Sequence, residues 1–167
     1  MSEYIQVKTK MMAAHLDCLV KALGDLEPEW AKPGVIEVHQ GQGDLLKTYV
    51  GSDQRGQRAN VIVRRRWVGS ASNDVGFAVQ PDGSIASVIG DFDRGAGHYT
   101  SHWGRCGGDW LNRLTQHYAY RVAEKQAAKA GMSVSKEVQK DGSWRVVLTK
   151  ASRSSSRALI GGEVWNV

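Results

Sequence analysis

The chain has 167 residues, of which 41% are hydrophobic and 23% are charged, and a formal net charge of +5. This length and composition predict one globular domain with its own core, and no apolar run approaches the roughly 18 residues that cross a bilayer. The N-terminal residues lack a basic region followed by a long apolar stretch, so we expect a cytoplasmic protein. In that compartment Cys18 and Cys106, the two cysteines, would be reduced.

The first half of the chain predicts a strand, a helix and then a run of strands. Apolar and polar residues alternate over 4–9, which is typical of a half-buried strand. Apolar residues then recur at helical spacing over 12–26, and prolines follow. Four strands are predicted at 45–50, 61–68, 75–79 and 85–89, the last two joined by a Pro81-Asp82-Gly83 turn.

The second half predicts a long helix and a hairpin. Asp109 is a suitable N-cap, and an apolar stripe follows at helical spacing, formed by Leu111, Leu114, Tyr118 and Val122. Asp141-Gly142 lies between two alternating segments, a strong hairpin signal. We therefore predict an α+β fold, with an antiparallel sheet of about six to seven strands and two helices on one face.

The tail differs in composition from the rest of the chain. Residues 1–150 are predicted to form a single α+β domain, and residues 151–167 a flexible, basic, Ser-rich tail with an apolar end. Two interpretations of that end stay open. It is either a strand that completes the sheet, or a short peptide that docks onto another subunit.

The segment from Gly90 to Gly108 looks most like a functional site. A loop of this length inside a compact domain is uncommon, and three aromatic residues argue against disorder. It also contains acidic residues, two histidines and Cys106. We expect it to carry recognition.

Two parts of the sequence resemble a known family. One is the opening Ser2-Glu-Tyr-Ile-Gln-Val-Lys-Thr-Lys with the helix around Leu16-Asp17-Cys18-Leu19. The other runs from Val75-Gly-Phe-Ala-Val-Gln-Pro-Asp-Gly through Trp110 to the Asp141-Gly142 hairpin. Together they resemble small uncharacterised proteins of cyanobacteria, red-algal plastids and phages, the group of the hypothetical chloroplast reading frame thirty-five. The resemblance covers roughly residues 1 to 149 and implies no established activity.

The leading functional prediction combines this resemblance with the aromatic residues of the loop and the tail. Genes of the family often lie near an AAA-type ATPase, so the resemblance implies such an ATPase as a partner. We predict a non-enzymatic accessory or adaptor protein that acts through protein contacts. Aromatic residues dominate interface hot spots, which favours a small set of anchors. These predicted partner-binding residues are Tyr99, Trp103, Leu159 and Trp165.

The alternative prediction is a nucleic-acid-binding module with a basic sheet face and a basic tail. Arg64, Arg65 and Arg66 are consecutive on the strand predicted at 61–68, and Arg153 and Arg157 add charge in the tail. Tryptophans near basic residues can stack on bases. A solvated sheet face, with arginine stems packed over aromatic rings, explains the same residues without a ligand.

Two chemical interpretations of the long loop rank below these. His98, His102 and Cys106 would align as metal ligands only in a helix, which the glycines of the loop disfavour. Cys106 also lies beside Arg105 and just before a predicted helix, where a thiol can become nucleophilic. Neither pattern matches an established signature, so we expect no cofactor, no metal and no catalytic residues.

Overall fold

A computed structural model describes residues 4–52, 56–94, 105–107, 109–150 and 162–166. These residues form twelve strands and four α-helices. In chain order they are β1 (Tyr4–Met12), α1 (Leu16–Leu26), β2 (Ile36–Val38), β3 (Asp44–Leu45), β4 (Lys47–Thr48), β5 (Gly51–Ser52), β6 (Arg58–Ala59), β7 (Val61–Val63), α2 (Arg65–Val68), β8 (Val75–Val79), β9 (Ser84–Gly90), α3 (Asp91–Arg94), α4 (Trp110–Lys129), β10 (Met132–Val138), β11 (Trp144–Lys150) and β12 (Gly162–Asn166). Short 3-10 helices precede and follow α1, at Ala13–His15 and Pro28–Ala31.

A five-stranded sheet with the order β1-β9-β8-β7-β2 forms the centre of the molecule. Every neighbouring pair in it is antiparallel. The strands β10, β11 and β12 form a separate three-stranded antiparallel sheet, and two small sheets pair β3 with β6 and β4 with β5. The predicted α+β class is confirmed, with the strands that follow α4 gathered in a sheet of their own.

The main core lies between α1, α4 and one face of the five-stranded sheet. Alternate residues of β7, β8 and β9 face it, because successive side chains of a strand point to opposite sides. Phe77, Leu19, Leu23 and Leu114 are fully buried there. The Tyr118 hydroxyl of α4 also accepts a hydrogen bond from the Met12 N–H, at 3.0 Å. Both predicted helices therefore cover the same face of the sheet.

The opposite face of the five-stranded sheet has a smaller core. It contains Leu46, Ala59, Ile62, Ala78 and Val88, all buried. No helix of the described ranges is long and apolar enough to cross a membrane.

The prediction of a strand over 61–68 is wrong beyond Val63. Residues Arg65–Val68 form the short helix α2, and Arg64 is the extended residue between the two elements. One carboxylate oxygen of Asp74 accepts the Arg65 N–H, at 2.7 Å, and this bond holds the chain in the turn. The strand predicted at 45–50 is also divided, because Leu45 of β3 pairs with Arg58 of β6, whereas Lys47 and Thr48 of β4 pair with β5.

The hairpin predicted around Asp141-Gly142 joins β10 to β11, and Gly142 has a φ of 83°. Of the two interpretations of the tail end, the structure contains the strand. The backbone of β12 pairs with β11, with Val164 opposite Val147. Residues 151–161 and Val167 lie outside the described residues.

Gly43→Ala should destabilise the fold more than Gly41→Ala. Both glycines have a left-handed φ (72° and 62°), so each alanine incurs about 1–2 kcal/mol of backbone strain. A Cβ on Gly43 would also collide with the Ala59 carbonyl oxygen, whereas a Cβ on Gly41 meets open space. We expect Gly43→Ala to lower the free energy of unfolding by at least about 1 kcal/mol more than Gly41→Ala in urea denaturation. Equal losses would contradict the close approach of the two backbones.

Candidate interaction surface

Most of the predicted loop site lies outside the described residues. Residues 95–104 and 108 belong to that group, and so do the tail residues 151–161. The sequence-predicted residues in these segments are Tyr99, Trp103, His98, His102, Leu159, Arg153 and Arg157. Trp165 lies on β12, opposite Val146 in the backbone register. Cys106 and the three consecutive arginines are described in full.

The two ends of the loop contribute buried groups to the core. Asp93 of α3 is fully buried, and Cys106 is 5% exposed. Burial, reinforced by the negative charges of Asp93 and Glu27, raises the pKa of the Cys106 thiol well above its ordinary value. A nucleophilic cysteine needs the opposite shift. Its position beside Arg105 therefore does not activate this thiol.

Arg105 fastens the C-terminal end of the loop to two other segments. Its Nε donates to the Val68 carbonyl and its Nη1 to Glu27 Oε2, each at 3.0 Å, and Nη1 also pairs with Glu29. The guanidinium lies over the Trp30 ring, 5.6 Å from its centre. These contacts pair the charge of Arg105 with carboxylates of the same chain.

Arg64 holds together three segments that are far apart in sequence. Its guanidinium lies 2.6 Å from Asp44 Oδ2, 2.8 Å from Glu37 Oε2 and 3.0 Å from Asp74 Oδ2. Asp74 is fully buried and also accepts the Lys47 N–H, at 2.8 Å. Burial opposes the charge of Arg64, but hydrogen bonds to Glu37, Asp74 and Asp44 raise the pKa of its guanidinium above the ordinary value. Arg64 is therefore a structural cation.

The acidic residues around Arg64 form a group with His39 that the sequence analysis did not predict. Glu37, His39 and Asp44 each offer one ligand atom, and these atoms lie within 4.8 Å of one another. The Arg64 guanidinium contacts both carboxylates, so a positive charge already occupies the group. Hydrogen bonding to Arg64 lowers the pKa of Glu37. The alternation Glu37-x-His39 at the end of β2 is the one signal in the sequence that could have pointed to this cluster.

Arg65 and Arg66 lie on α2 beside exposed aromatic side chains, and Arg66 is exposed whereas Arg65 is half-buried. The Arg65 guanidinium lies 5.2 Å from the centre of the Tyr49 ring, and that of Arg66 lies 5.8 Å from the centre of the Trp67 ring. Tyr49 is 58% exposed, Val50 78% and Trp67 37%. We call these five residues the Tyr49–Trp67 surface.

The backbone beneath this surface is firmly held. The Tyr49 N–H donates to Asn73 Oδ1 at 2.8 Å, and the Trp67 carbonyl accepts the Trp30 Nε1–H at 3.0 Å. Arg65 donates to the carbonyls of Ser70 and Ser72. In the described part of the chain, no carboxylate lies within ion-pair distance of Arg65 or Arg66. Neither charge is thus neutralised by a described carboxylate, although the Arg65 guanidinium is held by two carbonyls.

The fold and this surface define a class of protein: an α+β domain whose internal arginines bind carboxylates and whose exposed arginines flank aromatic rings. The comparison with protein families is more specific. The family described as "Protein of unknown function (DUF1257)" matches residues 35–147, which is more than half of the chain, and the chain belongs to that family. The prediction of an uncharacterised family is confirmed. No curated protein and no solved structure matches the chain.

Arg64→Met should strongly destabilise the fold, because it leaves the carboxylate of Asp74 buried without its cation. Removing one partner of a buried ion pair costs about 3–5 kcal/mol, and we expect a loss of at least about 3 kcal/mol in the free energy of unfolding. The matched control is Arg58→Met, which removes an exposed arginine that donates to the Gly43 carbonyl. This control should lower the free energy of unfolding by only about 0.5 kcal/mol in the same urea titration. Similar losses for both variants would contradict the structural role of Arg64.

Asp93→Asn should change how stability depends on pH. Burial raises the pKa of Asp93 from the ordinary 3.8, against hydrogen bonds from Ser72 and Asn73. The folded protein thus holds this proton at pH values where the unfolded chain has lost it. The resulting stabilisation is complete below the ordinary pKa and disappears as pH rises through the folded pKa.

The free energy of unfolding of the native protein, minus that of Asp93→Asn, should therefore fall between acidic and neutral pH. Asp25→Asn provides a control of opposite sign, because hydrogen bonding to Arg121 lowers the pKa of Asp25. The stabilisation that the ionised Asp25 carboxylate provides is lost as pH falls. A pH-independent difference for Asp93→Asn in urea titrations would disprove the coupling.

Proposed function

We propose that this protein is a non-enzymatic adaptor that works through protein contacts, and that the Tyr49–Trp67 surface docks an acidic segment of its partner. The observation that carries the proposal is the pair of exposed rings, Tyr49 and Trp67, each beneath an arginine that has no carboxylate partner among the described residues. Tyrosine, tryptophan and arginine are the residue types enriched in interface hot spots. A net charge of +5 favours an acidic partner.

The reactive groups of the described residues support an adaptor over an enzyme. Cys106 is buried, and its thiol has a raised pKa. Arg64, Arg105 and Arg121 each bind carboxylates of the same chain. Their charges stabilise the fold instead of facing a substrate.

The resemblance to the chloroplast reading frame thirty-five group supports a finer version of the proposal. It makes an AAA-type ATPase the first partner to test, in the cytoplasm that the sequence predicts. Tyr99, Trp103, Leu159 and Trp165 stay predicted anchors of the same interaction, in the loop and the tail.

Nucleic-acid binding is the second candidate, and the same surface favours it. Exposed rings beside arginines that no described carboxylate neutralises suit the stacking of bases and the binding of phosphates. This version relies on Arg65 and Arg66, with Arg153 and Arg157 of the tail, because Arg64 already binds three carboxylates. Binding of this kind weakens steeply as salt rises.

The double variant Tyr49→Ser/Trp67→Ser should lose the partner. We would purify tagged protein from its native host with and without nuclease, and then measure the affinity of the recovered partner for each variant. The control is Val138→Ser, which removes a 67% exposed apolar side chain on the three-stranded sheet. We expect at least about a tenfold loss for the double variant and no loss for the control, because hot-spot truncations cost about 2 kcal/mol or more.

The two candidates give different results in this experiment. A stoichiometric protein that survives nuclease and needs Tyr49 and Trp67 supports the adaptor. Partners that disappear with nuclease, and binding that weakens steeply with salt, support nucleic acid. A partner held equally by all variants would rule out the Tyr49–Trp67 surface as its docking site.

A further inference from the structure

The strand β10 has a lysine at a position where its pattern calls for an apolar residue. Met132 and Val134 face α4 and pack against a small core of Ala123, Ala127, Val146 and Leu148. Side chains two residues apart share a face of a strand, so Lys136 belongs to the same face. Its ammonium group must find a favourable environment at the edge of that core.

Aromatic rings supply this environment. The Lys136 Nζ lies 3.9 Å from the centre of the Trp144 ring and 5.1 Å from that of Tyr120. These two rings are nearly perpendicular, at 86°, with their centres 6.3 Å apart. The His117 ring packs edge-on against Trp144, at 4.7 Å and 83°. We call the three rings of His117, Tyr120 and Trp144 the Trp144 cage.

The walls of the cage are positioned without the help of Lys136. His117 and Tyr120 lie on α4, and Trp144 begins β11 in register with Val138. Gln116 Nε2 donates to the Gly142 carbonyl at 3.1 Å, which ties α4 to the hairpin turn. Lys136 is exposed, and a lysine side chain has many accessible rotamers, whereas the three rings are half-buried. The ammonium can therefore leave while the rings stay in place.

Both positive and negative groups lie around the cage. Burial lowers the pKa of His117, an effect opposed by the carboxylate of Asp25 and reinforced by Lys136, Arg113 and Arg121. The lowered pKa favours the neutral form of the His117 ring, which packs against Trp144. Arg121 is itself paired with Asp25, at 2.6 Å.

We propose that the Trp144 cage is a binding site for an alkylammonium group, and that Lys136 is its internal occupant. The guest would be a quaternary or methylated ammonium, such as a methylated lysine side chain of a partner. Such a group binds the faces of aromatic rings as the Lys136 ammonium does, and it is less strongly hydrated. This site is separate from the Tyr49–Trp67 surface and takes a ligand of opposite charge.

Tetramethylammonium chloride is the probe that tests the proposal. We would titrate it into nitrogen-15-labelled protein and follow the Trp144 indole N–H signal, identified by its absence in Trp144→Phe. Lys136→Ala removes the internal competitor, so tetramethylammonium should bind this variant on the order of threefold more tightly than the native protein. Lys140→Ala, which removes another exposed lysine of the same hairpin, should behave as the native protein does.

Further controls separate binding from side effects. A sodium chloride titration shows how much of the signal change is due to ionic strength alone. Tyr120→Leu in the Lys136→Ala background should abolish the response of the Trp144 indole signal to tetramethylammonium. Lys136→Met keeps the apolar stem and replaces Lys136→Ala if the alanine variant unfolds. If the variant that lacks Lys136 binds tetramethylammonium no more tightly than Lys140→Ala does, the cage is a structural contact only and the proposal is wrong.

Discussion

The ion pair between Arg64 and the fully buried Asp74 is the constraint on which much of the architecture depends. A carboxylate in that position is costly without a cation and N–H donors, and Asp74 has both. It binds the guanidinium of Arg64 and accepts the N–H groups of Arg65 and Lys47. These bonds end β7, start α2 and hold β4 nearby. The same turn that hides the charge of Arg64 leaves Arg65 half-buried and Arg66 exposed.

Arginine has the same role at two other junctions of the fold. Arg105 joins the end of the long loop to Glu27 and Glu29, and Arg121 of α4 binds Asp25 of α1 at 2.6 Å. Each guanidinium links elements that are distant in sequence through several hydrogen bonds in fixed directions. Because these cations are neutralised internally, the 22 lysines and arginines of the chain overstate the number of cations that a ligand meets. Arg65 and Arg66 are therefore the informative part of the basic composition.

Local patterns in the sequence correctly predicted the elements that depend on residues close together in the chain. The helical spacing of Leu114 and Tyr118, and the Asp141-Gly142 turn, identified α4 and the last hairpin. The interaction surface could not be predicted in this way, because a run of arginines after β-branched residues reads as a continuing strand. What ends β7 is a carboxylate ten residues later and a glutamate 27 residues earlier. The Trp144 cage was missed for the same reason, since α4 and the hairpin meet only in the folded chain.

The position of Lys136 also bears on how the three-stranded sheet can pair with other chains. Among the described residues β10 is an edge strand of that sheet, and an edge strand offers unpaired backbone groups to any other extended chain. A second sheet that docked there would have to bury the ammonium group or displace it from its rings. A charged side chain on an edge strand opposes edge-to-edge pairing, so the lysine that caps the aromatic cluster also protects this edge.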